Sequence, residues 1–273
     1  MTARDCVTIA RSRDTLILVR TVVALVLVAG LVACSSKSSD RTVRIAAASD
    51  LQRAFTELGT EFKARTGITP EFTFGSSGLL AKQIEQGAPF FLFASANKAF
   101  AEKVIQAGRC DAATARLYAQ GRIVVWTAPG KKAPVSLADL ASPEFKRIGI
   151  ANPDHAPYGV AAKQALESAG VWAQIQDRLV LGENIQAAML IAKNGDVDAA
   201  IVALSLAVVA DGGTSLKIDP SQYAPLDQQL VVCGKGAEAD AARKFADFIG
   251  SPEGREVMSR YGFQLPAATP RSP

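Results

Sequence analysis

The chain has few of the side chains on which enzyme active sites and metal centres usually depend. It contains one histidine, His155, and four cysteines among 273 residues. It has no Gly-x-Ser-x-Gly elbow, no cluster of His and Cys at metal-ligand spacing, and no Gly-x-x-x-x-Gly-Lys loop. These absences argue against a hydrolase, a metalloenzyme and a P-loop enzyme, and they predict no resident metal or cofactor. A Ser-dependent hydrolase stays open as an alternative, because Ser77 could pair with His155 across a cleft as nucleophile and base.

The chain also lacks a strong charge of either sign. Its formal net charge is +4, and residues 1–33 contain four arginines and two aspartates, so only +2 remains in the rest of the chain. No cluster of Lys and Arg alternates with aromatic residues, which make up 7% of the sequence. Binding to nucleic acid by neutralising phosphates is therefore not expected.

Long hydrophobic runs are absent apart from one near the start, at residues 21–32. That run follows an arginine-containing segment and is too short for the ~20 residues that a membrane span requires. It ends in Leu-Val-Ala-Cys at Cys34, a sequence that resembles the lipobox of bacterial lipoproteins. We expect residues 1–33 to be a lipoprotein signal peptide, Cys34 to carry the lipid, and residues 34–42 to form a tether. The alternative is an ordinary signal peptide with an incidental cysteine; both interpretations imply export to the periplasm or cell envelope.

Apolar segments alternate with amphipathic helical periodicity along the rest of the chain, which predicts parallel sheets with right-handed crossovers. The predicted strands are 43–48, 71–74, 90–93, 122–127, 148–151, 199–202 and 228–233. Helices are predicted from Leu51 to Gly67 and at 77–86, 97–107, 137–140, 159–170, 185–194, 240–249 and 252–261.

The length and the restart of this pattern predict two lobes. A breaker cluster at residues 128–130 indicates a passage into a second lobe, and the strand at 228–233 indicates a return. We assign 43–124 plus 232–268 to lobe 1 and 125–231 to lobe 2, an α/β fold of the type II periplasmic-binding-protein kind with a ligand cleft between lobes. Two cysteines, Cys110 and Cys233, remain after the leader; the sequence leaves open whether they form a disulfide or are separate thiols.

Four polar turns open predicted helices and form the candidate site. A helix start offers free backbone N–H groups and a partial positive charge, so several starts that converge can bind an anion without a cation. The alternative is that the serines and Asn184 are ordinary N-caps. The turns are Ala48-Ser49-Asp50, Gly75-Ser76-Ser77-Gly78, His155-Ala156-Pro157-Tyr158-Gly159 and Gly182-Glu183-Asn184-Ile185.

Together with residues 83–89 and 260–263, these turns resemble the periplasmic molybdate-binding protein family over nearly all of residues 43–265. The resemblance implies that Ser49 and Ser77 donate hydroxyl and backbone hydrogen bonds, and that Tyr158 and Ile185 donate mainly backbone N–H groups. Ser76 is a further candidate. The ligand implied is molybdate or tungstate, bound as an oxyanion with no direct metal ligand. The partners implied are the permease and ATPase subunits of an ABC importer, and a monomer is expected.

Some positions depart from the family pattern and leave alternatives open. Many members have an Asp-Leu-Phe strand with a later Asp, where this chain has 91–93 (Phe-Leu-Phe) and Asn97. Some members have a ligand tyrosine near Ala203, a contact for which the Tyr158 hydroxyl is a substitute. Asp50 either stabilises its helix start and points away from the cleft or accepts a hydrogen bond from a protonated phosphate. Sulfate and phosphate therefore stay open as ligands, as does a purely structural envelope lipoprotein.

Overall fold

The computed structural model describes residues 41–267. The predicted signal peptide, Cys34 and residues 34–40 of the predicted tether lie outside the described residues. Arg41 and Thr42, which the tether was predicted to include, belong to the first strand, where they pair with residues of the second. Within the described range, no helix is long and apolar enough to cross a membrane.

Strands and helices alternate through most of the described chain, and their bounds agree closely with the hydrophobic periodicity. The strands are β1 (Arg41–Ala48), β2 (Ile68–Gly75), β3 (Leu92–Ser95), β4 (Arg116–Gly121), β5 (Ile123–Thr127), β6 (Ile148–Ala151), β7 (Leu179–Gly182), β8 (Ala199–Ala203), β9 (Thr214–Lys217) and β10 (Leu226–Val232). The α-helices are α1 (Gln52–Thr66), α2 (Ser77–Glu85), α3 (Lys98–Gln106), α4 (Pro157–Ser168), α5 (Trp172–Ile175), α6 (Ile185–Lys193), α7 (Leu204–Ala207), α8 (Ala237–Ile249) and α9 (Pro252–Arg260).

The strands form two five-stranded sheets with the same internal plan. The first has the order β2-β1-β3-β10-β4 and the second the order β7-β6-β8-β5-β9. In each sheet the first three strands pair in parallel, and the fourth runs antiparallel to both of its neighbours. Four strands of each sheet therefore point the same way. The antiparallel strand is in each case the one that has just crossed from the other sheet, which confirms the predicted two-lobe α/β fold.

The chain passes between the two lobes at residues other than those that the breaker cluster suggested. β4 belongs to the first sheet and β5 to the second, so the chain crosses at Arg122 and not at residues 128–130. It returns between β9 and β10, before Leu226. The predicted boundaries at 124 and 231 therefore fall inside strands, and residues 226–231 lie with the first sheet. The mid-chain strand was predicted correctly, but β4, directly before it, was missed because it carries polar residues that break the apolar pattern.

The core of the first lobe holds α1 firmly in place. Phe55, Leu58 and Phe62 are buried at helical spacing on one face of α1. The rings of Phe55 and Phe62 pack edge-on against Phe245 of α8, with ring centroids 5.7 and 5.2 Å apart. Such pairs add about 0.5–1.5 kcal/mol beyond the apolar area that they bury. This packing fixes the helix whose start contributes to the site.

Cys110 and Cys233 form a disulfide, which answers the question that the sequence left open. Cys110 follows α3 and Cys233 follows β10, so both lie in the first lobe. The bond closes a segment with a sequence separation of 123 residues, and this segment contains the whole second sheet. The disulfide therefore ties together the two ends of the chain segment that builds the second lobe.

Candidate functional site

The four polar turns meet in the cleft between the lobes because each follows a strand at the same edge of its sheet. β1 and β2 are parallel neighbours in the first sheet, and β6 and β7 are parallel neighbours in the second. Their carboxyl ends lead into a 3-10 turn (Ser49–Leu51) before α1 and into α2, α4 and α6. Helix starts from both lobes thus face one another, as the sequence predicts.

A cavity of about 10 Å³ lies where these helix starts converge. That volume admits about one water-sized sphere, so a tetrahedral oxyanion enters only if the lobes separate and close again around it. Lys, Arg and His are absent from its lining. The lining residues are Ala48, Ser49, Asp50, Gly75, Ser76, Ser77, Ala96, Ala156, Pro157, Tyr158, Asn184 and Ile185.

Ser77 is held in a position to donate its hydroxyl hydrogen. It is the first residue of α2 and is 1% exposed. Its Oγ accepts a hydrogen bond from the Ala96 backbone N–H at 2.9 Å. Because the oxygen is fixed as an acceptor, its own hydrogen is left for another acceptor in the cavity. The interpretation of Ser77 as an N-cap is wrong, since the N-cap position is Ser76.

Ser49 and Ser76 line the same cavity but differ in their bonding. Within the described part of the chain, no hydrogen-bond partner is found for the Ser49 hydroxyl, which caps no helix. The Ser76 hydroxyl instead donates to the His155 carbonyl oxygen at 2.6 Å. Ser49 is therefore available to a ligand, whereas Ser76 is engaged in a contact between the lobes.

Tyr158 and Ile185 present backbone N–H groups from the second lobe. Tyr158 lies in the first turn of α4, which Pro157 opens, and Ile185 is the first residue of α6. The first N–H groups of a helix have no partner inside the helix and lie at the positive end of its dipole. Asn184 does cap α6, because its side chain accepts from the Ala187 N–H at 3.0 Å. The N-cap interpretation is thus correct for Asn184.

Two glycines bring these second-lobe helix starts close to the strands that precede them. A Cβ on Gly159 would overlap the carbonyl oxygen of Ala151, which ends β6. A Cβ on Gly182, which ends β7, would lie 2.6 Å from the backbone nitrogen of Ala188 in α6. Both distances are too short for any side chain. The glycines of these two motifs therefore allow the helix starts to lie close to the strands that precede them.

The Tyr158 hydroxyl, expected as a substitute for a ligand contact, is instead bonded to a side chain of the first lobe. It donates to Asp50 Oδ2 at 2.8 Å, and Gln228 Nε2 donates to the same oxygen at 2.6 Å. Asp50 and Gln228 are 1% and 0% exposed. Asp50 therefore joins the two lobes through a buried polar cluster, and the interpretation that it points away from the cleft is wrong.

Burial shifts the acid–base behaviour of this cluster. Loss of hydration raises the pKa of Asp50 to about 6, although the hydrogen bonds from Gln228, from Tyr158 and from the backbone N–H of Asp50 itself act in the opposite direction. The pKa of Tyr158 is raised well above its ordinary value by burial and by the neighbouring Asp50 charge. The pKa of Tyr118, whose hydroxyl donates to the Ser95 carbonyl at 3.2 Å, is raised for the same two reasons.

Further hydrogen bonds join the lobes beside the cavity. The His155 carbonyl oxygen accepts from the Gly78 N–H at 3.0 Å as well as from the Ser76 hydroxyl. His155 Nδ1 lies 3.0 Å from Ser76 Oγ. Since the Ser76 hydrogen is directed at the carbonyl, the ring nitrogen is the donor to that hydroxyl oxygen. The expected alternative of a Ser77–His155 pair is therefore not formed, and His155 serves lobe closure.

The sequence profile of the family described as "Bacterial extracellular solute-binding protein" matches residues 43–264. The chain belongs to this family. Molybdate-binding protein ModA of Rhodobacter capsulatus is 33% identical over 240 residues, which is 88% of this chain and 94% of that protein. The solved structure of the periplasmic molybdate-binding protein of Azotobacter vinelandii matches with a TM-score of 0.76 and 28% identity, covering 82% of this chain and 99% of that chain. YvgL of Bacillus subtilis, named as an ABC transporter substrate-binding lipoprotein, is 28% identical over 256 residues, 90% of this chain and 96% of that protein.

Membership of the solute-binding family confirms the predicted fold and the predicted resemblance to molybdate-binding proteins. It also means that the protein binds a solute and is not an enzyme. Among the described residues, no group of three or more His, Cys, Asp or Glu side chains could hold a metal ion.

Sequence reasoning missed three contributors to this solute-binding cleft. Gln228 is a polar residue at the centre of β10, and Ser205 at the start of α7 donates its hydroxyl to the Asp50 carbonyl oxygen at 3.0 Å. Gly121, at the end of β4, leaves room for the Tyr158 hydroxyl. β10 contains three consecutive polar residues, Asp227, Gln228 and Gln229. Polar residues in a strand are a signal that could have been followed, because polar groups that become buried require partners.

Proposed function

We propose that the protein captures molybdate or tungstate in the cleft between its lobes and delivers it to an ABC importer. The observation that carries this proposal is the set of neutral donors that converges on one cavity from both lobes. Ser49 and Ser77 offer hydroxyl groups from the first lobe, and Tyr158 and Ile185 offer backbone N–H groups from the second. Ser76 is at most an additional donor, because its hydroxyl is already bonded to His155.

Neutral donors suit an enclosed dianion. Hydrogen bonds to a charged acceptor are roughly twice as strong as bonds between neutral groups, and helix starts add favourable dipoles. A buried Lys or Arg would have to lose the hydration of a full charge on closure, whereas the hydration lost by neutral N–H groups costs much less. The site therefore binds an anion without burying a cation and releases it when the lobes open.

The relatives indicate which dianion to test first. Relatives at up to 33% identity over most of the chain carry the name molybdate-binding protein. Tungstate shares the charge and nearly the size of molybdate, so both belong to the proposal. Sulfate is a smaller dianion, and phosphate carries a proton near neutral pH that Asp50 could accept; both are therefore the competitors to be tested.

We further propose that the protein is exported and anchored by a lipid on Cys34, with residues 34–40 as the tether, because β1 begins at Arg41. The lipobox-like sequence supports the anchor, as does the similarity to YvgL, whose name describes a lipoprotein. Permease and ATPase subunits of the importer are the proposed partners, and the working form is a monomer. Delivery then requires only that the tethered protein meets the permease in the same envelope compartment.

Thermal unfolding with each of four anions tests the proposal. A ligand at 100 times its Kd stabilises a protein by about 2.7 kcal/mol, which for a chain of this size corresponds to a rise in Tm of about 5–10 °C. We expect molybdate and tungstate to give such a rise, sulfate and phosphate to give much less, and the Ser49→Ala/Ser77→Ala double variant to respond to none. A response to phosphate alone, or to none of the four anions, would contradict the proposal.

A further inference from the structure

The two carboxylate oxygens of Asp50 have different surroundings. Oδ2 accepts hydrogen bonds from Tyr158 and Gln228, at 2.8 and 2.6 Å. Oδ1 is buried, and no hydrogen-bond donor from another residue is found for it in residues 41–267. Asp50 is also one of the residues that line the ligand cavity. The residue that carries this oxygen therefore lines a cavity that otherwise offers donors to an anion.

No cation balances the Asp50 carboxylate within the described structure. The groups that face it are the neutral side chains of Gln228 on β10, Tyr158 on α4 and Tyr118 on β4, and Ser205 on α7 bonds only to its backbone carbonyl. A buried carboxylate without an opposite charge favours its protonated form. That tendency agrees with the raised pKa of about 6.

A bound dianion strengthens this preference, because two negative groups in one enclosed site repel each other. The proton has one suitable position. Oδ2 already accepts from two donors, so the O–H must form on Oδ1. Protonation then replaces a repelling acceptor with one more donor at the edge of the cavity.

We propose that the protein captures its oxyanion together with one proton, held on Asp50 Oδ1. The proton comes from the bulk solvent on binding and returns to it on release, and no bond of the anion is broken. This inference rests on the proposed function and deepens it, because it makes the captured species a dianion plus a proton. Affinity is then linked to pH through one residue at the junction of the two lobes.

The proposal predicts a pH dependence that one substitution removes. For one proton on a group with a pKa of about 6, the Kd for molybdate rises by up to about fiftyfold between pH 6 and pH 8. In Asp50→Asn, the oxygen can still accept from Tyr158 and Gln228, and the amide nitrogen donates at every pH. We therefore expect that variant to bind molybdate with a nearly constant Kd across this range.

Calorimetric titration of the full-length protein with sodium molybdate at pH 6, 7 and 8 is the test. Repeating the titration at pH 8 in two buffers of different ionisation enthalpy measures the protons taken up per anion. The expected values approach one for the unsubstituted protein and zero for Asp50→Asn. His155→Gln is the essential control, because it removes the imidazole whose Nδ1 lies 3.0 Å from Ser76 Oγ beside the cavity. Asp154→Asn, an exposed carboxylate in the same turn as His155, controls for a general change of charge.

The outcomes separate this inference from the function on which it rests. Retention of the pH slope in both control variants and its loss in Asp50→Asn support the proposal. A flat Kd in the unsubstituted protein, an unchanged slope in Asp50→Asn, or a slope that is lost only in His155→Gln overturns it while leaving molybdate capture intact. Tight binding of phosphate at pH 8 that Asp50→Asn abolishes also overturns it, because Asp50 would then accept the ligand's own proton. If molybdate, tungstate, sulfate and phosphate all fail to bind at every pH, the proposed function fails and the inference fails with it.

Discussion

Gly121 is the residue at which one added methyl group most sharply tests whether the lobes must meet for binding. It ends β4 in the first lobe, directly before the chain crosses to the second. A Cβ built at this position overlaps the hydroxyl oxygen of Tyr158 and lies 3.0 Å from its Cζ and 3.1 Å from Gln228 Nε2. Contacts between carbon atoms are favourable only from about 3.5 Å outward. Gly121→Ala therefore displaces the Tyr158 ring or holds the lobes apart.

The expected loss follows from the contacts that are disturbed. Overpacking of a tight interior costs about 1–3 kcal/mol, and the hydrogen bond from Tyr158 to Asp50 is weakened as the ring moves. Because Tyr158 belongs to the second lobe, this cost opposes the closed arrangement. A cost of about 1–3 kcal/mol on closure weakens oxyanion binding by roughly 5- to 150-fold, although the substituted residue does not line the cavity.

Calorimetric titration with molybdate measures the loss, and two further variants control it. Gly250→Ala is the matched glycine control, because a Cβ there meets only the Asp247 carbonyl oxygen at 3.6 Å and its φ is −81°. In a Tyr158→Phe background the severest overlap is absent and only the contacts near 3 Å remain, so adding Gly121→Ala there should weaken affinity by less than it does in the unsubstituted protein. Unchanged affinity in Gly121→Ala, or strictly additive losses in the double variant, would refute this reasoning.

Four other predictions follow from the site, the acid–base cluster, the disulfide and the leader. Ser77→Ala should weaken molybdate binding by about 1–3 kcal/mol, since an anion-facing hydroxyl is lost; an unchanged Kd in calorimetry would remove Ser77 from the site. Because the folded-state pKa of Asp50 is raised from 3.8 to about 6, its contribution to ligand-free stability is lost as pH rises between these values; Asp50→Asn should recover up to about 3 kcal/mol at pH 8 in urea unfolding, and an equal or lower stability than the unsubstituted protein would contradict this. Reduction of the Cys110–Cys233 bond, with its separation of 123 residues, should lower the free energy of unfolding by up to about 5 kcal/mol; a urea midpoint that does not change on reduction would show that the bond does not form. Cys34→Ala should abolish metabolic labelling with palmitate and release the protein from membranes, whereas continued labelling would place the anchor elsewhere.

Local patterns were sufficient to predict most of the fold. Helical spacing of Leu51, Phe55, Leu58 and Phe62 predicted α1, because an amphipathic helix must bury one face. The short strands β7 and β9 and the polar strand β4 were missed, because each is short or polar and its place in a sheet depends on partners that are distant in sequence. The passage between the lobes at Arg122 was also missed, because the single residue between β4 and β5 is not a turn-forming residue such as Gly or Pro.

The candidate site was predicted in part. Ser49, Ser77 and the helix starts at Tyr158 and Ile185 were placed correctly in one cleft, because strand ends at one sheet edge meet by geometry. The roles of Asp50 and of the Tyr158 hydroxyl were not predicted. Their hydrogen bond joins residues 108 positions apart in the sequence, and only the closed arrangement of the lobes brings them together. Local periodicity carries no information about such a contact.

The most direct test of the central claim is a calorimetric titration of the full-length protein with molybdate, in parallel with tungstate, sulfate and phosphate at pH 7. The account predicts one site per chain that binds molybdate and tungstate tightly and the other two anions at least 100-fold more weakly, a difference of about 2.7 kcal/mol. Equal binding of sulfate would show that the cleft selects charge alone. No heat with molybdate or tungstate would contradict the claim that this cleft captures them.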